Sequence, residues 1–334
     1  YASKTLINSS LHEIVDFILI DSTADSIPAP SVYKRLSKAF VRVLKLSQIL
    51  LIKRPFAVMV FSSSGLSLIE KGFMVLISKK IFRKRTIFAP RSGLVTTDYS
   101  SSSFYRKLIP LVIKHSDFLI CQGTQWENFY KKITPGNNHT KFIVQPNWID
   151  VSKYSSLKKE KEKNEIINVL YLGWIEEYKG ILELVSALEK LKNYSNKIVV
   201  DIYGHGSLFN VVQSKINELN LSSFVNLKGW ADQKTKLEAL TTADIYILPS
   251  HAEGFPNALI EAMASGTAVI SCNVGGVSDV IKPYETGLLI NAKDVDAIVQ
   301  GLETLIIDET LRKKLADEGQ KFIIENNRIE KVVE

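Results

Sequence analysis

Six short apolar runs, at 166–172, 197–203, 224–227, 245–248, 268–271 and 288–290, punctuate the second half of the chain, and helical patterns near 181–191, 208–219, 234–240, 256–264 and 295–306 fill the gaps. Short runs without polar alternation are strands buried on both faces, and strands that alternate with helices build a parallel, doubly wound α/β sheet. Ligands of such sheets bind beyond the carboxyl ends of the strands, so the residues that follow each strand are the informative ones. The first half has the same α/β order in less legible form, with strands expected at 17–20, 57–61, 86–89, 118–121 and 142–144 and a helix at 2–11. A first domain at 1–150 is therefore expected to lack its first strand. A polar, densely charged stretch at 151–165 reads as a linker, and a second domain follows at 166–334. Two domains also suit a length of 334 residues.

Charge separates the halves more sharply than composition does. Residues 1–160 carry 24 Lys and Arg against 10 Asp and Glu, whereas residues 161–334 carry 18 against 25. The asymmetry turns the first half towards a polyanion or an anionic membrane surface. Lys34, Lys38, Arg42 and Lys45 share one helical face, with Val32, Leu36, Ala39, Val43 and Leu46 on another, and 79–85 holds five cations. These clusters fit either a solvated face or a peripheral contact with anionic lipid, anchored by Phe40 or Phe82. No nucleic-acid-binding motif accompanies them, so no nucleic-acid partner is expected. No apolar stretch reaches the roughly 20 residues of a membrane span, and 1–10 lacks a signal-peptide core. Cys121 and Cys272 each end an apolar run and read as buried, reduced thiols. The expected location is cytoplasmic, peripheral on the inner face of the plasma membrane.

Four strand ends of the second half carry chemistry. The first gives Gly173-Trp-Ile-Glu-Glu-Tyr-Lys179-Gly180 before a helix. Glycine, lysine and a helix N-terminus suit a diphosphate, or equally a turn with a solvated lysine. The second gives Gly204-His205-Gly206, a partial glycine fingerprint without its third glycine. The third gives Pro249-Ser-His-Ala-Glu253-Gly-Phe-Pro256-Asn-Ala-Leu-Ile-Glu261-Ala-Met-Ala-Ser-Gly266, with Pro256 starting a helix and Gly266 stopping it. Glu261 then sits among Leu259, Ile260, Ala262 and Met263, where a carboxylate is costly unless hydrogen-bonded. A vicinal diol such as a ribose would satisfy both oxygens, and so would a lysine. Glu253 either accepts from sugar hydroxyls or caps the helix. The fourth strand end is the glycine-rich turn Asn273-Val-Gly275-Gly276.

In order and spacing, these motifs resemble the donor-binding domain of GT-B retaining glycosyltransferases of family 4, and Glu253 and Glu261 match that family's E-x7-E signature. The resemblance runs from about 166 to 326; in 1–150 it rests mainly on Gln145-Pro146-Asn147. It implies two Rossmann-like domains facing across a cleft, the first holding an acceptor and the second a nucleoside-diphosphate sugar. Lys179 would hold the diphosphate, Glu261 the ribose and Glu253 the transferred sugar. Gly254, Phe255, Pro256, Asn257, Ala258 and Leu259 would present backbone N–H groups, and Gly204 and Gly206 would let the chain pass close to the nucleotide. Gly173, Trp174 and His205 complete the implied donor set. The family's usual Arg beside the first glycine is Trp174 here, which leaves Arg91 as the candidate second cation. A His usual in the first domain is absent, and His115 reads as structural. The implied activity is metal-independent hexosyl transfer without a cofactor, onto a saccharide or lipid-linked acceptor in bacterial cell-surface polysaccharide or glycolipid synthesis. Asp294 and Asp296 read as helix capping rather than a metal site. The rival readings are a non-catalytic sugar-nucleotide-binding subunit and a same-fold epimerase or hydrolase.

Overall fold

The structure, a computed structural model, describes residues 7, 9–22, 31–155 and 166–333. Most of the expected helix at 2–11 and of the expected linker at 151–165 lies outside the described residues. The chain divides into two compact units, one of Ser10–Pro146 and one of Asn147–Glu334 together with Tyr1–Ser9.

In the first unit, strands β1 (Ala57–Ser62), β2 (Arg85–Pro90), β3 (Phe118–Cys121) and β4 (Lys141–Val144) form a parallel sheet in the order β1-β2-β3-β4. Its helices are α1 (Val32–Ile52), α2 (Leu66–Leu76), α3 (Val95–Ser101), α4 (Ser103–Lys114) and α5 (Thr124–Ile133). Leu46 and Leu50 of α1 join Val75, Phe88, Ile113, Leu119 and Trp126 in the core. Ser31 and Ser102 cap α1 and α4 through their hydroxyl oxygens.

Three expectations change here. No strand forms at 17–20. Phe17, Ile18 and Leu19 are exposed, and only Ile20 packs on the core. An apolar run becomes a strand only where a sheet edge pairs its backbone, and β1 has β2 as its one neighbour among the described residues. Arg42 leaves the basic face: its guanidinium donates to both oxygens of Glu70, at 2.6 and 2.7 Å, in the seam between α1 and α2. Burial alone would raise the Glu70 pKa, but Arg42 and Lys71 hold it below the usual carboxylate range. Phe82 packs against the core, whereas Phe40 is 66% exposed. His115 caps the end of α4, its Nδ1 standing 2.8 Å from Leu111 O, which is a structural role.

In the second unit, strands β5 (Ile167–Leu172), β6 (Ile198–Tyr203), β7 (Val225–Gly229), β8 (Ile245–Leu248), β9 (Ala268–Cys272) and β10 (Leu288–Ile290) are all parallel. Their order is β10-β9-β8-β5-β6-β7, the doubly wound Rossmann arrangement, which reverses direction between β5 and β8. Every residue of β8 and β9 is buried, which is why these strands read as unbroken apolar runs. The longer helices are α6 (Ile181–Lys190), α7 (Phe209–Glu218), α8 (Gln233–Thr242), α9 (Asn257–Ala264), α10 (Val295–Ile307) and α11 (Glu309–Asn326). Asp232, Asp294 and Asp308 cap α8, α10 and α11. Asp294 is thus a cap, while Asp296 pairs with Lys190 at 2.6 Å. The start of this unit is tied to its end, since Ile149 N–H donates to Asn327 O and Ile149 O accepts from Ile329 N–H.

Cys121 and Cys272 are buried, and burial pushes both thiols up to about 12. Among the described residues no helix is long and apolar enough to cross a membrane.

Candidate active site

The loops after β5 and β8 meet where the strand order reverses. After β5, a 3-10 turn at Glu177–Lys179 ends in Gly180, which opens α6. Gly180 is left-handed (φ 69°), and a Cβ there would fall 2.0 Å from Pro249 O in the loop after β8. The loops are also joined by His251 N–H, which donates to Tyr178 O at 2.8 Å. This packing aims Lys179 at Glu253: Nζ donates to Oε1 at 2.6 Å, and Ser250 Oγ donates to the same oxygen at 2.7 Å. Glu253 is only 7% exposed. The loop after β9 closes on its backbone. Gly275 is also left-handed (φ 58°), a Cβ there would strike Glu253 O at 1.9 Å, and Gly276 N–H donates to Gly254 O.

Gly136 in the first unit has nearly the same φ (68°) as Gly180 but open space around it. Gly136→Ala should cost about 1–2 kcal/mol of backbone strain alone. Gly180→Ala adds a backbone clash, for a total of about 2–5 kcal/mol. Thermal denaturation of both variants measures the difference; equal losses would mean that the two loops are not locked together.

Glu261 lies in the second turn of α9, 3% exposed. Both of its oxygens accept from Lys236 Nζ, at 2.8 and 3.0 Å. Of the two partners left open by the sequence, the structure supplies the lysine. Pro256 occupies the N-cap position, so α9 begins one residue later than expected. Neither α6 nor α9 has a side-chain cap, which leaves two helix N-termini at this sheet edge suited to an anion.

The remaining expected residues divide. Asn257 Oδ1 and Phe255 O both accept from Asn147 Nδ2, at 2.8 Å each, which steadies the loop. Ala258 is half-buried, and the Leu259 side chain is fully buried in the core. Gly173 N–H donates to Tyr203 O. The Gly204–Gly206 turn packs on the β5 loop, because Cβ atoms at 204 and 206 would meet Gly173 O and Ile175 O at 1.8 and 2.4 Å. These glycines therefore have a packing reason within the unit itself. The His205 ring stacks on Phe209 at 5.0 Å. Trp174 places its ring 5.3 Å from Trp230, which follows β7. Arg91 follows β2 in the first unit, with its guanidinium 5.2 Å over the Phe61 ring, and burial lowers its pKa to about 10.

Sequence reasoning missed Lys236 and Trp230, and had Ser250 in hand only as part of the motif around Glu253. It had Asn147 in hand only as part of Gln145-Pro146-Asn147. Among the described residues no three His, Cys, Asp or Glu side chains cluster as a metal site would require.

Residues 153–322, about half of the chain, match the family described as glycosyl transferases group 1. The chain belongs to that family. A similar glycosyltransferase is the capsular polysaccharide biosynthesis glycosyltransferase CapM of Staphylococcus aureus, 31% identical over 175 residues, covering 50% of this chain and 44% of CapM. Among solved structures, sucrose-phosphate synthase of Thermosynechococcus elongatus superposes with a TM-score of 0.78 at 19% identity, covering 91% of this chain and 77% of that one. HepE of Anabaena in complex with UDP and glucose gives a TM-score of 0.71 at 15% identity, covering 91% and 82%. At such identities the structural likeness carries the fold, and that fold is GT-B. The group 1 chain described here spans about half the length of curated relatives that it matches.

Proposed function

We propose that the protein is a retaining glycosyltransferase that moves a sugar from a nucleoside-diphosphate donor to a saccharide or lipid-linked acceptor. The observation that carries this reading is the pair of buried carboxylates, Glu253 and Glu261, each held by a partly exposed lysine, Lys179 and Lys236, at the reversal of strand order. Two carboxylates eight residues apart, each accompanied by a lysine, provide acceptors for the hydroxyls of a sugar and a ribose. Lys179 and the N-termini of α6 and α9 provide positive charge for the diphosphate between them. HepE, bound to UDP and glucose, and CapM, named for capsular polysaccharide, agree in ligand class and in biological setting.

In the step proposed, the bond from the sugar's anomeric carbon to the β-phosphate oxygen breaks. A bond from that carbon to the acceptor oxygen forms on the same face, and the acceptor's proton passes to the departing phosphate oxygen. Negative charge grows on the diphosphate, so a cation placed there favours the transition state over the bound donor. Glu253, released from Lys179 on one oxygen, would hold the transferred sugar. We assign charge stabilisation to Lys179 and backbone N–H groups, and turnover is expected to persist in excess chelator.

Donor turnover with and without a lipid extract tests this reading. Acceptor-dependent release of nucleoside diphosphate, with the product keeping the donor's anomeric configuration, is expected. Donor consumption without an acceptor would favour an epimerase or hydrolase. Tight donor binding without turnover would favour a non-catalytic subunit, the reading to which Trp174 in place of a cation lends weight.

We further propose that the first unit docks the enzyme on the anionic inner face of the plasma membrane. Residues 31–97 carry fourteen Lys and Arg against a single acid, Glu70, and that acid is occupied by Arg42 and Lys71. Tyr33, Phe40, Leu44 and Leu51 are all exposed on α1 and recur at i, i+7, i+11 and i+18, so they form one apolar stripe. Lys34, Lys38 and Lys45 gather along one side of it on the helical wheel. Sedimentation with anionic vesicles should pull the protein down at low salt and release it at high salt. Phe40→Ser with Leu44→Ser should weaken that binding several-fold. Equal partitioning onto neutral and anionic vesicles would contradict electrostatic docking.

A further inference from the structure

Trp174 and Trp230 follow β5 and β7, on the half of the sheet that also carries the Gly204–Gly206 turn. The strand between them, β6, is followed by Gly204, whose N–H donates to Gly229 O at 2.8 Å, so the turn is drawn onto the end of β7. The two indoles meet at 5.3 Å with their planes tilted by 47°. Trp230 is nevertheless 61% exposed, whereas Trp126 and Trp148 are buried. Packing does not account for an indole held mostly in water at the ligand-binding edge of a parallel sheet. Trp174 is fixed from behind, because its carbonyl accepts from the buried Tyr171 hydroxyl at 2.8 Å.

The surroundings say which ligand such a surface would take. Trp230 leads directly into α8, which is capped by Asp232 and carries Lys236, the partner of Glu261. If Glu261 takes the ribose, the base attached to that ribose extends away from the diphosphate and Lys179. The β5-β6-β7 half is also the part of a doubly wound sheet that forms a mononucleotide-binding unit. Neutral aromatic faces suit a planar base, and stacking contributes with any base because every base presents a π-face.

We propose that Trp230, backed by Trp174, is the face on which the donor's nucleobase stacks. This rests on the donor reading above and adds how the base is held. It also gives Trp174 a role in place of a diphosphate-binding cation: the aromatic residue serves the base, and Lys179 is the cation that this loop contributes to the diphosphate.

Calorimetric titration of wild type, Trp230→Ala, Trp230→Leu and Trp230→Phe with UDP, GDP, CDP, ADP and dTDP tests the proposal. Because Trp230 is exposed, the ligand-free variants should melt as wild type does. For the tightest-binding nucleotide, the Ala and Leu variants should lose about tenfold or more in affinity, and Phe should stay within about threefold. Saturating nucleotide should also quench the wild-type tryptophan fluorescence. A Leu variant that binds as well as wild type, or an unquenched complex, would overturn the stacking role and leave the donor reading standing. Failure of wild type to bind any of the five would overturn the donor reading, and the stacking face with it.

Discussion

Replacing Lys179 with alanine is expected to lower kcat by about 10²–10³-fold, the loss seen when one preorganised donor to a developing oxyanion is removed. Lys179 is held for this task by its neighbours rather than by its own helix. The 3-10 turn before Gly180 sets its backbone, and Glu253, itself bonded to Ser250, holds its ammonium group. With donor bound, the same ammonium group can serve the diphosphate, where charge grows as the sugar leaves. The effect should fall on kcat more than on KM, because the charge it meets exists mainly in the transition state. The substitution also strips a buried carboxylate of its cation, so kcat must be compared below the lowered melting temperature. An unchanged kcat would remove Lys179 from the mechanism.

The second large effect concerns stability. Lys236→Ala leaves Glu261 as an unpaired carboxylate on a helix whose neighbouring residues are apolar and buried. Breaking a buried pair in this way costs about 3–5 kcal/mol. In a unit of this size that is a fall of about 10 °C in Tm. Removing both charges, in Lys236→Met with Glu261→Gln, should restore most of the loss, because replacing a whole buried pair by neutral groups is often close to neutral. The double variant should still fail to bind nucleotide if Glu261 takes a ribose diol. A double variant that is stable and binds nucleotide normally would reduce Glu261 to half of a structural ion pair.

The second unit was legible because its strands are buried on both faces. Ile245–Leu248 and Ala268–Cys272 contain no residue that faces water, and no alternation blurs them. The loops were legible for a related reason. Gly180 and Gly275 sit where another backbone comes too close for a Cβ, so glycine marks the points where loops touch. The partners across those contacts were not legible. Lys236 reaches Glu261 from 25 residues earlier, and Asn147 reaches Phe255 from a different part of the unit. Such contacts depend on which loops the sheet order brings together and leave no period in the sequence. The run at 17–20 misled for the opposite reason, since its composition suits a strand but nothing described pairs with it. In α1, spacing put Arg42 with the other cations, but only the position of Glu70 on α2 reveals that Arg42 faces the seam.

The central claim is a donor site built around Lys179, Glu253 and Glu261, and a thermal-shift panel tests it most directly. Wild type and the double variant Lys236→Met, Glu261→Gln are each melted with UDP, GDP, CDP, ADP and dTDP. A ligand that binds only the folded state adds about 2.7 kcal/mol at 100 times its Kd, enough to move the melting temperature by several degrees. At least one nucleotide should raise the melting temperature of wild type and leave that of the double variant where it was. No shift in wild type with any nucleotide, or the same shift in both proteins, would contradict it.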